Sequence, residues 1–465
     1  MWLAAAGLCA GTWFGSRSGS VSVAIAALVG GAALLVLRRR PGVAIAAIIL
    51  ACGGAGWVNA SVRMDQRGPL AELARDVPRC AVRGSILESS GGLGTLVAVE
   101  HVRCSGWTAA QLGVASLADE VGPAGAGFVA TGWITPLRDN DFDRARRRAG
   151  AQAALHLTDL SIVEGPRGPH AIAEGVRNGL HDALTGLDPR RAALLEGLTI
   201  GNTDALTPET IEVFRNAGLS HVLAVSGSNV AIVLGVVLIG LRSVGLRART
   251  LMGYVALGLF VLVVGPDASV LRAGVMGAIT LACLTQGRTA EPLAALGLAV
   301  IVVICLRPGM LFSVGMQLSA AATAGIVIFC SAISNGLRPL PEAFRVMLAA
   351  TLAAQLAVAP VLILVFGELS VIAPVANALA LPAVAPATVM GLASGVIAVA
   401  IPPLGRASAA TVSPAAWWIL EVADHLGGLS WSLVHVPRWA GWPFLAGVAV
   451  LAGRLLRGGD PEPPR

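Results

Sequence analysis

SHVLAVSGSNVAIVLGVVLIGL, residues 220–241, is apolar enough to cross a membrane, yet its first third carries His221, Ser226, Gly227, Ser228 and Asn229. Ser226 and Asn229 lie three apart, a spacing that puts both on one helix face, and Gly227 between them allows a backbone or ligand to come close. The rest of the chain repeats this mixture of apolar runs and isolated polar groups. Of 465 residues, 55% are hydrophobic and 13% charged, with a mean hydropathy of +0.75. That balance excludes an ordinary soluble globular protein and predicts an integral membrane protein. The 33 basic residues are all Arg. A net charge of +6 is not by itself a nucleic-acid signal, because membrane topology already requires Arg in loops.

Three apolar segments come first, at residues 1–15, 20–37 and 41–60, and are expected to form an N-terminal group of transmembrane helices, the first two being of marginal length. Arg38, Arg39 and Arg40 place the loop between the second and third in the cytoplasm, so residues 61–175 are expected outside. This region is polar and punctuated by Gly. Its short alternating runs RCAVRGSIL, GTLVAVEHVR, GFVATGWI and AALHLTDLSIV predict β-strands in a small barrel or sandwich. Cys80 and Cys104 fall within it, either as a disulfide in an oxidising compartment or as two free thiols.

Residues 176–220 read as amphipathic linker helices, one of them in LTPETIEVFRNAGLSH with Thr207 as N-cap, Pro208 in the first turn and Gly218 as the stop. Apolar segments resume across 221–457, including 370–388 and 389–401, for about 12 membrane segments in all. Residues 411–439 mix Trp with polar groups and are expected to lie as an interfacial helix; stacking of bases on the tryptophans is the competing reading. Residues 458–465 are expected to form a disordered polar tail. Arg-bearing loops then place both termini in the cytoplasm of a multi-pass plasma-membrane protein.

Four polar clusters interrupt the apolar segments. The opening stretch is the first; Asp267, Ser269 and Arg272 form the second. Gln317, Ser319 and Thr323 form the third, and Asn377 among Pro374, Pro382 and Pro386 the fourth, where a continuous helix is not expected. An intramembrane Arg costs roughly 2.5–3.5 kcal/mol, so Arg272 needs a partner or a wet cavity. Helix-to-helix hydrogen bonding explains any one cluster, and four together argue for a shared polar path. A Ser226–His221 hydrolase is disfavoured, because residues five apart sit about 140° apart on a helix and AVSGS is not a nucleophile elbow. No phosphate-binding G-x-x-x-x-G-K-[ST] loop occurs, and the seven histidines form no H-x-H-x-D-H cluster, so neither a nucleotide, a metal nor another cofactor is expected.

HVLAVSGSNVAIV, SVLRAGVM, MQLSAAATAGI and NALALP, in this order, resemble the signature blocks of the ComEC-type competence proteins, and GLTIGNTDALTPETIEVFRNAGLSHVLAVSG is similar to the approach to that family's first core helix. NDFDRARRRAGAQAALHL resembles the end of the family's extracellular OB-like domain, and Cys80 with Cys104 its disulfide pair. The resemblance implies a polytopic α-helical membrane protein with a small all-β OB-like domain. It would act as a channel for single-stranded DNA in natural transformation, in contact with membrane lipid and as a possible homo-oligomer. A DNA-receptor protein, a cytoplasmic ATPase and a separate nuclease would be its partners, the chain itself being no enzyme. Two departures stand out. Asn229 replaces a His common in relatives, and with GGDPEPPR closing the sequence at Arg465 the expectation is a short form without the metallo-β-lactamase-like domain many relatives carry. His221, Ser226, Gly227, Asn229, Asp267, Ser269, Arg272, Gln317, Ser319, Asn377 and Pro382 are then the expected DNA path, and Arg79, Arg83, Arg103, Arg144, Arg146, Arg147 and Arg148 the expected docking groups. The alternative is a small-molecule or ion transporter with a substrate site at the broken helices near Pro374–Pro386.

Overall fold

The computed structural model describes residues 69–457 apart from 77–78, 91–93, 105–106, 119–120, 139 and 224. The helices expected at 1–60, the Arg38–Arg40 loop and the 458–465 tail lie outside the described residues. The chain divides into two units. One holds the described residues up to Gly175 with Val261–Leu271 and Gly297–Ser313, and the other holds Val176–Phe260, Arg272–Leu296 and Val314 onward.

In the first unit, helix α1 (Pro69–Leu73) leads into strands β1 (Arg79–Ser90), β2 (Gly94–Cys104), β3 (Trp107–Leu117), β4 (Gly127–Thr135) and, after α2 (Asp141–Arg148), β5 (Ala153–Glu164). They close into a barrel in the order β1-β2-β3-β5-β4, with β3 and β5 parallel and every other pair antiparallel. Alternation in β4 sends Phe128, Ala130 and Ile134 inward and leaves Trp133 outside. Closing so small a barrel requires bent strands. At Gly84 and Gly132, beside register shifts, a Cβ would overlap the carbonyl oxygens of Ala98 and His156, so these positions admit only glycine. Cys80 and Cys104 face each other on β1 and β2, are buried, and form a disulfide.

Two of the expected docking groups are structural instead. Arg146 is buried, with Nη1 donating to Asp143 Oδ1 at 3.3 Å and Nη2 to the Leu117 carbonyl at 3.4 Å, and Asp143 in turn accepts from the Arg138 backbone N–H at 2.8 Å. It braces α2 against the barrel end and presents no free face to a phosphate. Arg147 donates to the Arg138 carbonyl. The basic run 144–148 reads as an exposed patch in sequence, but an eight-residue helix directs some of those side chains inward.

Six runs among the described residues are long and apolar enough to cross a membrane: α8 (Leu246–Val264), α9 (Ala268–Thr285), α11 (Val314–Gly336), α12 (Glu342–Phe366), α13 (Ala373–Ala400) and Arg438–Leu456, which includes most of α15 (Gly441–Arg457). Two apolar helices are shorter, α7 (Gly227–Gly240) and α10 (Pro292–Leu306). The expected segments 370–388 and 389–401 are one helix, α13. Its prolines do not break it: Pro374 occupies the first turn, where no N–H donor is missed, while Pro382 and Pro386 are four apart and exposed, so the lost donors fall on one outer face.

The helices expected to be linkers are core instead. Helices α3 (Pro169–Leu184), α4 (Pro189–Ile200), α5 (Pro208–Asn216) and α6 (Ser220–Leu223) follow the barrel. Val176 onward, their buried Leu180, Leu194, Leu195, Leu198 and Phe214 join one hydrophobic cluster with α13 and α14 (Pro402–Gly427). Amphipathicity signals a buried face, and here that face is packed on helices rather than laid on lipid. The expected cap holds: Thr207 Oγ1 accepts from the Thr210 N–H at 3.3 Å, and Gly218 takes φ +72° just past α5. Glu209, in that first turn, has its carboxyl held below the usual carboxylate range by its own backbone N–H and the Thr207 hydroxyl. Phe214→Ala should cost about 3–5 kcal/mol, read as a lowered midpoint of unfolding of the purified protein.

Residues 411–439 are not one interfacial helix. Helix α14 runs to Gly427, with Ala416, Ile419 and Ala423 fully buried against the core, and the chain then forms β7 (Leu433–His435), paired with β6 (Glu368–Ser370). Trp417 and Trp418 are about half exposed, and Trp418 Nε1 donates to the Leu379 carbonyl at 2.8 Å, tying α14 to α13. Across this core, Arg190 at the start of α4 makes a two-bond pair with Asp424, each bond 2.7 Å, and Nε donates to Thr210 Oγ1 at 3.0 Å. The pair is partly solvent-exposed, so a double-mutant cycle of Arg190→Gln and Asp424→Asn should return a coupling of roughly 1 kcal/mol. Zero coupling would make it a mere surface contact.

Candidate functional site

The polar opening of 220–241 is explained by where the helix begins. Backbone at Ser226 is extended, with φ −104° and ψ 167°, so the stretch is not one span, and α7 starts at Gly227 with Ser226 as N-cap. Ser226 therefore flanks the helix rather than sharing a face within it. Fourteen residues give a helix about 21 Å long, short of the roughly 30 Å hydrocarbon core. Its first turn thus has unsatisfied N–H groups, and Ser226 makes no side-chain cap to them. The Ser226 hydroxyl lies 2.5 Å from the Ser228 hydroxyl and donates to Asn229 Oδ1 at 3.2 Å. Asn229 is buried, and its Nδ2 donates to the Leu198 carbonyl near the end of α4 at 3.0 Å.

Beside that helix start lies Arg272 of α9. It is only 4% exposed. Nε and Nη2 donate to Ser319 Oγ of α11 at 3.0 and 2.7 Å, and Nη1 donates to Met276 Sδ at 3.2 Å. A Cβ on Gly227 would stand 2.7 Å from Nη2 and 3.3 Å from the Ala273 Cβ, so glycine is what lets the guanidinium reach the first turn of α7. Among the described residues Arg272 makes no ion pair. A buried cation held by a hydroxyl and a thioether, next to the positive end of a helix, leaves an uncompensated charge that favours an anion.

The structure thus gathers Ser226, Gly227, Asn229, Arg272 and Ser319. His221 is exposed on α6, Gln317 is exposed on α11, and Pro382 is on the outer face of α13. Asp267 and Ser269 belong to the first unit, whose boundary falls between Leu271 and Arg272. Asn377 is buried, with Nδ2 donating to the Ala373 carbonyl at 2.8 Å and Oδ1 without a partner. Sequence reading missed the Leu198 carbonyl as the acceptor that fixes Asn229, since a backbone group carries no residue signature. Asn229→Leu should strand that carbonyl and cost about 1–3 kcal/mol, measured as lost thermal stability.

The sequence profile described as "Competence protein" matches residues 198–459, more than half of the chain. The chain belongs to the competence protein family. The matched span of this competence protein opens at Leu198, the acceptor of Asn229, and contains every residue of the site. ComE operon protein 3 of Bacillus subtilis (strain 168) is 28% identical over 214 residues, covering 45% of this chain and 27% of that protein. The alignment therefore spans only about a quarter of the relative's length. No solved structure matches the chain.

Proposed function

We propose that this multi-pass competence protein carries single-stranded DNA from the outer face of the plasma membrane to the cytoplasm during DNA uptake. The observation that carries the reading is Arg272: a guanidinium buried in a membrane-grade helix, without a carboxylate partner among the described residues, suits a passing polyanion. One such cation amid Ser and Asn is also what conduction needs, because a dense basic sleeve would hold phosphates too tightly to release them.

The barrel supports a docking role. Its closed five-strand order, with β3 parallel to β5, agrees with an OB-like fold, a fold that binds single strands by joining basic grooves to stacking platforms. Arg79, Arg83 and Arg103 are exposed on β1 and β2, and the Arg79 guanidinium sits 5.1 Å from the ring centroid of the outward Trp133. Arg83 is shared with Glu164 at 3.5 Å. With the barrel outside and both termini inside, strands would meet this face first. In this reading a receptor delivers DNA, a separate nuclease removes one strand, and a cytoplasmic ATPase drives entry, the chain itself being no enzyme.

Uptake of labelled DNA by a deletion strain against the complemented strain tests the proposal. Restoration by the complementing copy supports it. Equal uptake by the two strains would refute it, and a defect in the accumulation of a small solute in the deletion strain would favour a transporter instead.

A further inference from the structure

We infer that the start of α7 and Arg272 together form a seat for a single phosphate group. The inference rests on the proposed DNA passage for its occupant, a backbone phosphate of the strand, but its geometry stands independently. A guanidinium carries five N–H donors, and three of them are used, by Ser319 twice and by Met276 once. Two remain without an acceptor among the described residues, on a side chain more than nine-tenths buried. One of the two is on Nη2, the atom that lies against Gly227.

Gly227 and Ser228 are the first two residues of α7, where backbone N–H groups have no acceptor within the helix. The Ser226 hydroxyl is already committed to Asn229 Oδ1, and the Ser228 hydroxyl lies 2.5 Å from it, so the backbone N–H groups are the donors this helix start has left. Free guanidinium donors and helix N–H groups therefore meet where no negative group is found among the described residues. A tetrahedral oxyanion with several acceptor oxygens satisfies all of them at once, and it neutralises both Arg272 and the positive helix end.

Ser319 is the positioning residue. By accepting from Nε and Nη2 together it holds the planar fork with its remaining edge free, as a Lys ammonium could not be held. Met276 is a weak acceptor on Nη1, readily displaced by a stronger one. Such a seat binds one phosphate firmly enough to register the strand and, being single, releases it when the next arrives.

The test uses the full-length protein in detergent, titrated with inorganic phosphate at constant ionic strength maintained with chloride. Wild type should show a saturable rise in thermal midpoint of about 2 °C or more. Arg272→Gln should be at least as stable as wild type without phosphate, since a buried unpaired charge is gone, and should show no rise. Gly227→Ala, which pushes a methyl to 2.7 Å from Nη2, and Ser319→Ala, which frees the fork, should each weaken the half-saturation at least tenfold. No rise in wild type, or an equal rise in wild type and Arg272→Gln, overturns the seat even if the deletion strain fails to take up DNA. Two further arms identify the occupant: an oligothymidylate, and nanodiscs of phosphatidylglycerol against phosphatidylcholine. Stabilisation by the oligonucleotide that Arg272→Gln abolishes supports a strand phosphate. An Arg272-dependent response confined to phosphatidylglycerol makes the seat a lipid-headgroup site and overturns that occupant.

Discussion

Arg272→Ala should reduce DNA uptake to the level of the deletion strain while the protein stays in the membrane at its normal amount. The substitution removes the one charge found at the start of α7 among the described residues and leaves Ser319 with an unused hydroxyl that can turn to its own helix. Accumulation should not fall, because eliminating a buried cation that has no carboxylate partner relieves a desolvation penalty. Arg272→Lys separates the charge from the fork. It retains a cation for passing phosphates but gives up the paired donors to Ser319, so uptake should fall about tenfold, equivalent to roughly 1.4 kcal/mol, rather than vanish. If Arg272→Ala takes up DNA as well as the parent, the strand does not pass this segment. If Lys is as defective as Ala with both proteins present, a positive charge alone does not guide the strand and the paired donors of the fork are required.

Much of this was legible beforehand, for identifiable reasons. Arg272 stood out because an ionised group inside an apolar run is expensive, and Gly227 because a residue without a side chain beside polar neighbours marks a close approach. Strands β1, β2, β4 and β5 were visible through their period of two. Strand β3, WTAAQLGVASL, was not, since Ala, Gly and Ser dilute the contrast between its faces. The start of α7 was hidden because 220–241 is apolar enough on average to read as one span despite its polar first third, and only the extended backbone at Ser226 shows where the helix begins. Pro382 and Pro386 misled because a proline removes a donor without dictating that the helix must end, provided the lost bonds face outward. The bond from Asn229 to Leu198 spans 31 residues and joins two helices whose pairing no local pattern announces. Amphipathic α4 and α5 showed that one face would be buried, but not against what.

Cys80→Ser should lower the stability of the barrel by roughly 3 kcal/mol, because the bond closes a loop whose ends are 24 residues apart and its loss returns that loop's freedom to the unfolded chain. That is a large share of the total for a small domain, since folded domains are stable by only about 5–15 kcal/mol. The barrel has little to offset it. Half of its buried core residues are only Ala or Val, and five of its strand positions, Gly84, Gly94, Gly113, Gly127 and Gly132, are glycines that bury no side chain. The expected result is a protein that accumulates poorly and is cleaved in the barrel at protease concentrations the parent resists. Cys104→Ser should behave alike, and the double replacement should be no worse than either single one, since all three lose the same bond. Cys80→Val with Cys104→Val then distinguishes the cross-link from the packing, for it restores apolar volume on both strands without closing the loop. Recovery of parental protease resistance in that variant would show that burial of the two side chains, not the covalent bond, is what the barrel needs. Continued sensitivity would leave the bond as the element that keeps β1 and β2 in register, and with them the outward row of Arg79, Arg83 and Arg103.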